Sequence, residues 1–275
     1  MTDQYAVIGH PISHSKSPKI HQTFARQTGQ SLEYRAIDIY PDDVAGQIQQ
    51  LHDALKLKGL NVTVPYKETM WSLISDLSDR AQRAGAVNTV VISQSGHLFG
   101  DNTDGIGLCR DLLDNHQLQI SGKRILLLGA GGASRGVTGP LLEQNPASLF
   151  IANRTAQKAV NLAHDFRDLG PVTGGGWDDI SGQFDLLINA TAASLHGEVP
   201  PVSPDVLAEG AACYDMMYGD KDTAFVQWAK QQGVTRAYDG LGMLVEQAAE
   251  AFYIWRHVRP DSQAVIEQLR HKCGK

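Results

Sequence analysis

The sequence has few cysteines, few basic residues and no long apolar run, and each shortage excludes a class of protein. Its three cysteines, Cys109, Cys213 and Cys273, are odd in number and widely spaced, which indicates a reducing compartment and offers no metal site. With 24 basic and 30 acidic residues, the net charge is −6, which argues against a nucleic-acid partner. No apolar run approaches the roughly 18 residues of a membrane span, and no leader is recognisable. We therefore expect a cytoplasmic protein with no membrane partner.

The length and the apolar content are sufficient for two domains. The chain has 275 residues, of which 42% are hydrophobic. Short apolar strands alternate with amphipathic helices, which predicts an α/β fold with a parallel, doubly wound sheet in its second half. We place a discontinuous substrate domain at residues 1–103 and 240–275, and a Rossmann-type nucleotide domain at 104–239. The helices after Gly240 are predicted to return to the first domain.

A glycine-rich turn follows the apolar strand predicted at Ile125–Leu128. Gly129 and Gly131 allow the backbone to approach a pyrophosphate, and the N–H groups of the helix that opens next can bind it. Ser134 stands where a third glycine or alanine is usual in this motif. The strand, turn and helix together predict a dinucleotide site.

The tip of the following strand, Leu149–Ala152, is where such sites read the ribose. An NAD site would carry Asp or Glu there, whereas this chain has Asn153 and Arg154, with Lys158 one helical turn later. Cations at this position favour a 2′-phosphate, although a solvated surface arginine would also look like this. The inferred cofactor is NADP(H).

Polar residues are dense in three segments of the first hundred residues. The segment around Ser15 and Ser17 places hydroxyls before a helix, where they could hold a carboxylate; it also fits a polar turn in which Ser17 is the N-cap and Pro18 the first helical residue. In the second segment, Asn61 and Thr63 share one strand face, and Lys67 sits at the start of the next helix. Lys67 is either a solvated lysine or a cation aimed at a reacting oxygen.

The third segment combines Gly85–Thr89 with Gly100–Gly105. Asn88 is a candidate partner for hydroxyls, and Asp104 is a candidate partner for Lys67. Asp101 could instead cap the helix predicted from Thr103, and the sequence alone does not distinguish it from Asp104 as the acid of the pair. A Lys–Asp pair would suit carbonyl reduction, in which a nicotinamide gives hydride to carbon while a proton reaches oxygen.

Eight motifs occur in order along essentially the whole chain, and together they resemble the shikimate dehydrogenase family of the NADP-dependent, bacterial biosynthetic type. The motifs are Ser15–Pro18, Asn61–Lys67, Gly85–Thr89, Gly100–Gly105, Gly129–Gly136, Asn153–Thr155, Tyr214–Tyr218 and Asp239–Ala248. The resemblance implies reversible reduction of 3-dehydroshikimate to shikimate in aromatic amino acid biosynthesis.

The resemblance also implies roles for individual residues. Lys67 and Asp104 would be the catalytic pair. The substrate-binding residues would be Ser15, Ser17, Asn61, Thr63, Asn88, Tyr218 and Gln247. The cofactor-binding residues would be Gly129, Ala130, Gly131, Gly132, Ala133, Asn153, Arg154, Thr155, Lys158, Met216 and Gly240. Histidines and metals have no part in this interpretation, and His10, His14 and His21 are expected to be structural or exposed.

Two alternatives remain open. One is a quinate/shikimate dehydrogenase that uses NAD, against which Arg154 with no acidic neighbour is the main argument. The other is a non-catalytic module that senses NADPH or a metabolite, for which Lys67 and Asp104 would not both be needed. The expected partners are a small substrate and NADP(H), in a monomer or homodimer.

Overall fold

The structure is a computed structural model that describes residues 2–272, so Cys273 lies outside the described residues. It divides into two compact units. The first unit comprises the chain up to Asp104 together with Val245–Val265. The second comprises Gly105–Leu244 and the residues from Ile266 onward.

The first unit is built on a mixed sheet with the strand order β2-β1-β3-β5-β6-β4. Strands β1, β2 and β3 are parallel, whereas β5 runs antiparallel to both β3 and β6. The strands are β1 (Asp3–Gly9), β2 (Leu32–Asp38), β3 (Leu57–Val62), β4 (Asp76–Leu77), β5 (Thr89–Ile92) and β6 (Leu98–Asp101). Strands β5 and β6 form an antiparallel hairpin. The parallel strands end at one edge of the sheet, where the polar segments begin.

Helices cover this sheet, and its apolar side chains pack between the layers. The helices are α1 (Ser17–Thr28), α2 (Val44–Leu55), α3 (Lys67–Leu73), α4 (Asp79–Ala84) and α9 (Leu241–Arg256). The Trp255 indole of α9 donates to the Val90 carbonyl at 3.0 Å, which fixes this C-terminal helix on the first sheet. The core includes Ala6, Ile8, Leu60, Val62 and Val90, all buried.

The second unit has an all-parallel sheet with the order β12-β11-β10-β7-β8-β9. Its strands are β7 (Arg124–Leu128), β8 (Ser148–Ala152), β9 (Val172–Gly175), β10 (Phe184–Asn189), β11 (Leu207–Asp215) and β12 (Arg236–Asp239). Numbered within the unit, this is the order 3-2-1-4-5-6 of a dinucleotide-binding fold. The predicted two-domain α/β fold class with a doubly wound sheet is therefore confirmed.

Helices flank the second sheet, and its central strands β7 and β10 are buried on both faces, as in other parallel sheets. The helices that begin in or at the edge of this unit are α5 (Asp104–Arg110), α6 (Gly132–Glu143), α7 (Ala156–Phe166) and α8 (Ala224–Gln231), and α10 (Ser262–Lys272) ends in it. Short 3₁₀ turns occur at Trp177–Asp179, Ala193–His196 and Pro204–Val206.

The helix predicted from Thr103 to Asn115 is not a uniform α-helix. It is α-helical over Asp104–Arg110 and continues as a π-helical turn at Asp111–Asn115. The Asp111 carboxylate is buried there and accepts a 2.5 Å hydrogen bond from the Tyr214 hydroxyl. Since Tyr214 lies far along the chain, local sequence carried no sign of this turn.

The prediction that Ser17 is the N-cap of α1 is wrong. Lys16 holds the cap position and makes no side-chain capping bond, and Ser17 is the first helical residue, followed by Pro18. The Ser17 N–H donates to the Ser15 hydroxyl at 3.3 Å. The Ser17 side chain is therefore not used by the helix terminus.

Two further features bear on the class of protein. Within residues 2–272, no helix has the length and apolar content needed to cross a bilayer, and no group of three or more His, Cys, Asp or Glu is arranged to hold a metal ion. Cys109 and Cys213 are buried free thiols, and burial raises the pKa of each to about 12. These two thiols are therefore unreactive at neutral pH.

Candidate active site

Lys67 and Asp104 form an ion pair in the first unit. The Lys67 Nζ donates to Asp104 Oδ2 at 2.6 Å, and the two side chains are 29% and 13% exposed. Lys67 is the first residue of α3, where the helix dipole disfavours a cation, so the carboxylate offsets that cost. The Lys67 carbonyl also accepts from the Val87 N–H at 2.9 Å, which ties the start of α3 to the segment that carries Asn88.

Asn88 holds the other oxygen of this carboxylate. Its side-chain nitrogen donates to Asp104 Oδ1 at 2.7 Å and to the Thr103 hydroxyl at 3.0 Å. The Asn88 oxygen accepts from the Thr103 N–H at 2.9 Å, which fixes the amide orientation. Both Asp104 oxygens therefore accept hydrogen bonds, Oδ1 from the Asn88 amide and Oδ2 from the Lys67 ammonium group.

Gln247 of α9 reaches the same cluster. Its side-chain oxygen lies 3.4 Å from the Asn88 nitrogen, within hydrogen-bonding distance. The contact brings together residues 159 positions apart in the chain. The C-terminal helix thus contributes a polar group beside Asn88 and Asp104.

Asp101, the alternative acid, is fully occupied elsewhere. Arg80 donates to both of its oxygens at 2.6 Å, and the Ser78 hydroxyl donates to Oδ1 at 2.5 Å. The buried Asp101 carboxylate also accepts from the Asn102 N–H at 2.7 Å and does not cap α5. Of the two aspartates, Asp104 is the one that contacts Lys67.

The remaining substrate candidates of the first unit lie at the carboxyl edge of its parallel strands. Asn61 is in β3 and buried, and Thr63 follows that strand directly. A Cβ at Gly9, the last residue of β1, would lie 2.5 Å from the Thr63 methyl group, so the close approach of these two segments requires glycine. Ser15 and Ser17 follow β1, and among the described residues no hydrogen bond links either serine to Lys67.

The glycine turn of the second unit leaves room for a ligand. Gly129 has φ +108°, and a Cβ there would lie 3.1 Å from Thr191 and 3.3 Å from the Ser134 hydroxyl. A Cβ at Gly131 would meet no atom within 4 Å, although this residue is the N-cap of α6 and has no capping side chain. The first N–H groups of α6 are thus accessible, as a pyrophosphate site requires.

Ser134 packs where the motif usually has its third glycine. It is fully buried, and its hydroxyl has no hydrogen-bond partner among the described residues. A Cβ at Gly129 would lie 3.3 Å from this hydroxyl, so the glycine turn packs closely against Ser134. The departure from the usual motif is therefore accommodated by packing.

The tip of β8 presents two exposed cations. Arg154 and Lys158 are exposed, and neither makes an ion pair with any described residue. The Asn153 side chain donates to the Thr155 carbonyl at 3.0 Å, and Thr155 precedes the first residue of α7. The residues predicted to bind a 2′-phosphate thus occupy one short turn, with no carboxylate among them.

Met216 and Gly240 are close neighbours at the ends of β11 and β12. The Gly240 N–H donates to the Met217 carbonyl at 3.0 Å, and a Cβ on Gly240 would lie 2.3 Å from the Met216 carbonyl oxygen. Tyr218 follows in the same loop; it is half-buried, and burial raises its pKa. The residue at 240 must therefore be glycine for the two strand ends to meet.

Asp215 organises this loop, and the sequence reasoning assigned it no role. The buried carboxylate accepts hydrogen bonds from four donors: the Asn189 amide at 3.0 Å, the Ser194 hydroxyl at 2.5 Å, the Met217 N–H at 3.0 Å and the Thr223 hydroxyl at 2.6 Å. Burial raises the pKa of Asp215, and these hydrogen bonds oppose the rise. The signal in the sequence that could have identified it is an aspartate directly after an apolar strand, because a polar group buried there needs hydrogen-bond partners.

The fold and both groups of side chains define a class of protein. An all-parallel sheet in dinucleotide-binding order, with a glycine turn at its first helix, is typical of nucleotide-dependent oxidoreductases, and a lysine–carboxylate pair suits their proton transfers.

Comparison with known proteins narrows this class to one family. Three family models match: the shikimate dehydrogenase substrate binding domain at residues 7–90, shikimate/quinate 5-dehydrogenase at 111–196, and the shikimate 5′-dehydrogenase C-terminal domain at 240–270. The shikimate dehydrogenase (NADP(+)) of Aeromonas salmonicida strain A449 is 53% identical over 272 residues, which cover 99% of each chain. This chain belongs to the shikimate dehydrogenase family, as its motifs predicted.

Solved structures are similar over the full length. The chain resembles an Ael1 enzyme from Pseudomonas putida with a TM-score of 0.92 and 46% identity, covering 98% of each chain. It resembles shikimate 5-dehydrogenase from Thermus thermophilus, determined in complex with NADP(H) and shikimate, with a TM-score of 0.85 and 31% identity. That match covers 99% of this chain and 100% of the other.

Proposed function

We propose that this protein catalyses the reversible NADP-dependent interconversion of shikimate and 3-dehydroshikimate. The observation that carries the proposal is the Lys67–Asp104 pair at 2.6 Å, with Asn88 on the second carboxylate oxygen. Family membership and the NADP-dependent relatives support it. A sensing module would not need this arrangement, so the non-catalytic alternative is not favoured.

Lys67 is the proposed proton carrier. NADP(H), when bound, supplies or accepts the hydride. The Lys67 ammonium group donates a proton to the substrate oxygen during reduction and takes one back during oxidation. Asp104 holds the ammonium group in place and balances its charge, while Asn88 keeps the carboxylate from rotating.

The polar residues around this pair are proposed to bind the substrate. Ser15 and Ser17 would bind its carboxylate, because the Ser17 hydroxyl does not cap α1 and the Ser15 hydroxyl can still donate while it accepts from the Ser17 N–H. The residues proposed to meet hydroxyls or the carboxylate are Asn61, Thr63, Asn88 and Gln247, with Tyr218 lining the substrate side. The first unit would thus form most of the substrate domain, which we assign to residues 1–103 and 240–275.

The second unit is proposed to bind NADP(H), with its domain assigned to residues 104–239. The open space at Gly131 and the uncapped start of α6 fit a pyrophosphate held by Gly129, Ala130, Gly131, Gly132 and Ala133. The exposed cations Arg154 and Lys158 fit a 2′-phosphate, together with Asn153 and Thr155. Met216 and Gly240 would flank the nicotinamide.

The setting of the reaction is also a proposal. We propose that it acts in aromatic amino acid biosynthesis in the cytoplasm, as a monomer or homodimer that binds the substrate and NADP(H). The reducing compartment inferred from the widely spaced cysteines agrees with that location.

Absorbance at 340 nm tests the proposal directly. Purified protein is supplied with shikimate or quinate, each with NADP or NAD, and the formation of reduced cofactor is followed. Rapid reduction with shikimate and NADP, and little in the other pairings, is the expected result. Activity with quinate and NAD would assign the chain to the alternative dehydrogenase. Folded protein that is silent in every pairing would contradict an enzymatic role.

A further inference from the structure

A row of buried polar side chains leads from the core of the first unit to Asp104. Its first member is Tyr34 in β2, whose hydroxyl donates to the Asn61 side-chain oxygen at 2.6 Å. Tyr34 is almost fully buried, and burial raises its pKa well above 10. The phenol therefore keeps its proton and remains a donor over the whole working pH range.

The orientation of the Asn61 amide follows from its partners. Its nitrogen donates to the Asn88 carbonyl at 3.1 Å and to the Thr89 hydroxyl at 3.1 Å. A carbonyl can only accept, so the nitrogen must face it and the amide oxygen must face Tyr34. Asn61 and Thr89 are directly opposite each other in the antiparallel pair of β3 and β5, which explains the contact.

The Thr89 hydroxyl links the Asn61 amide to the Asn88 side chain by two hydrogen bonds. It accepts from Asn61 and donates to the Asn88 side-chain oxygen at 2.8 Å, and Thr89 is completely buried. The Asn88 nitrogen then donates to Asp104 at 2.7 Å. Each group in the row accepts from the one before it and donates to the next, as far as the Asp104 carboxylate.

Aromatic packing holds Tyr34, the first member of the row, in place. The His21 ring stacks on Tyr34 with centroids 4.2 Å apart and planes at 4°, and Trp255 lies at 6.3 Å. Burial lowers the pKa of His21 to about 3, so the ring is neutral and places no charge beside the phenol. Neither His21 nitrogen meets hydrogen-bond geometry with a described residue, although Asn61 is near enough to oppose the fall in pKa.

We propose that Tyr34 and Thr89 are positioning residues that fix the Asn61 and Asn88 amides and, through Asn88, the Asp104 carboxylate opposite Lys67. Neither residue is assigned a contact with substrate or cofactor. Thr89 acts through the two amides, whereas the Tyr34 hydroxyl also interacts with the Ser17 side chain, so Thr89→Val is the cleaner test of the row. Aligned hydrogen bonds polarise one another, so the loss of one hydroxyl weakens those that remain. The inference rests on the proposed function, because its effect is read in the turnover of shikimate.

Isosteric variants test the proposal. Thr89→Val removes the hydroxyl and retains the shape of the side chain, and Tyr34→Phe removes only the phenol oxygen. A hydrogen bond of this kind contributes about 0.5–1.5 kcal/mol, so each variant should lower kcat/KM for shikimate by roughly 2- to 12-fold while KM for NADP is unchanged. Thr89→Ser restores a hydroxyl and should recover most of the loss.

Tyr5→Phe is the matched control. Tyr5 lies opposite Tyr34 in the register of β1 and β2 and is equally buried, but its hydroxyl accepts from Arg256 at 3.3 Å and belongs to no part of the row. This variant should match the wild type in kcat/KM. Because both tyrosines lose a buried hydroxyl, a general loss of stability would affect the two variants alike.

A double-mutant cycle completes the test. In an Asn88→Ala background, Thr89→Val should cause little further loss, since its path to Asp104 is already broken. Additive losses, failure of Thr89→Ser to restore activity, or wild-type kinetics in both Thr89→Val and Tyr34→Phe would overturn the proposal. An inactive wild-type protein that also fails to bind shikimate would overturn the proposed function, and this inference with it.

Discussion

Replacing Arg154 with alanine should weaken NADP binding and leave NAD binding unchanged. Arg154 is exposed and makes no ion pair with a described residue, so its removal breaks no ion pair within residues 2–272, and stability should change by less than about 0.5 kcal/mol. A hydrogen bond to a charged group contributes about 1.5–3 kcal/mol. Solvent screening at this exposed turn favours the lower end, so the dissociation constant for NADP should rise about tenfold.

Titration calorimetry with NADP and with NAD measures both affinities on the same protein. The loss should be larger at low ionic strength than at high, because salt screens an exposed charge pair. Arg167→Ala is the matched control, since Arg167 is also exposed but lies at the opposite end of α7. Equal losses for NADP and NAD, or an equal loss in Arg167→Ala, would refute the assignment of Arg154.

Three further predictions concern the substrate site, the glycine turn and the core. Replacing Ser15 and Ser17 together with alanine should raise KM chiefly for substrates with a carboxylate, and steady-state kinetics with an uncharged analogue would expose a non-specific effect. Gly131→Ala should unfold like the wild type in denaturant, within about 0.5 kcal/mol, because its Cβ meets no described protein atom within 4 Å, yet it should bind NADP more weakly. The pKa of His21 falls from 6.5 to about 3 on folding. Between these two pH values His21 is protonated in the unfolded chain and neutral in the native protein. The free energy of unfolding should therefore decrease as the pH is lowered from 6.5 to about 3. The slope should exceed that of His21→Phe by up to roughly 1.4 kcal/mol per pH unit. Urea unfolding at several pH values measures both proteins, and parallel plots of unfolding free energy against pH would contradict the prediction.

Local patterns in the sequence were sufficient to predict the nucleotide fold. The apolar strand before Gly129, the turn and the helix that follows are encoded by neighbouring residues, and the structure has them as β7 and α6. Strand β8, whose tip carries Arg154, was predicted with an error of one residue. Such elements are predictable because their signals lie within about one turn of the residues concerned.

Contacts between distant residues were not predictable in the same way. Asp101 and Asp104 were equivalent in sequence. Their environments differ because Arg80 and Ser78 bind the first carboxylate, whereas Lys67 and Asn88 bind the second. The π-helical turn at Asp111 has a similar origin, since Tyr214 bonds its carboxylate from a strand 103 residues away.

The resemblance supplied the site residues, and the structure supplies the order in which they are connected. Motifs place Asn61 and Asn88 in the chain, but the antiparallel register of β3 and β5 is what sets Asn61 opposite Thr89. The role of Tyr34 depends on the hydrogen bond from its hydroxyl to Asn61, which reaches from β2 past β1 to β3. None of the eight motifs contains Tyr34. Residue types were thus predictable, whereas the connections between them were not.

The most direct test of the account is the turnover of Lys67→Ala at saturating shikimate and NADP, followed at 340 nm beside the wild type. If Lys67 carries the proton, kcat should fall by about 10²- to 10⁴-fold, and the affinity for NADP should remain that of the wild type. A variant that keeps its kcat and loses affinity for its ligands would contradict the account, because Lys67 would then bind and not transfer the proton.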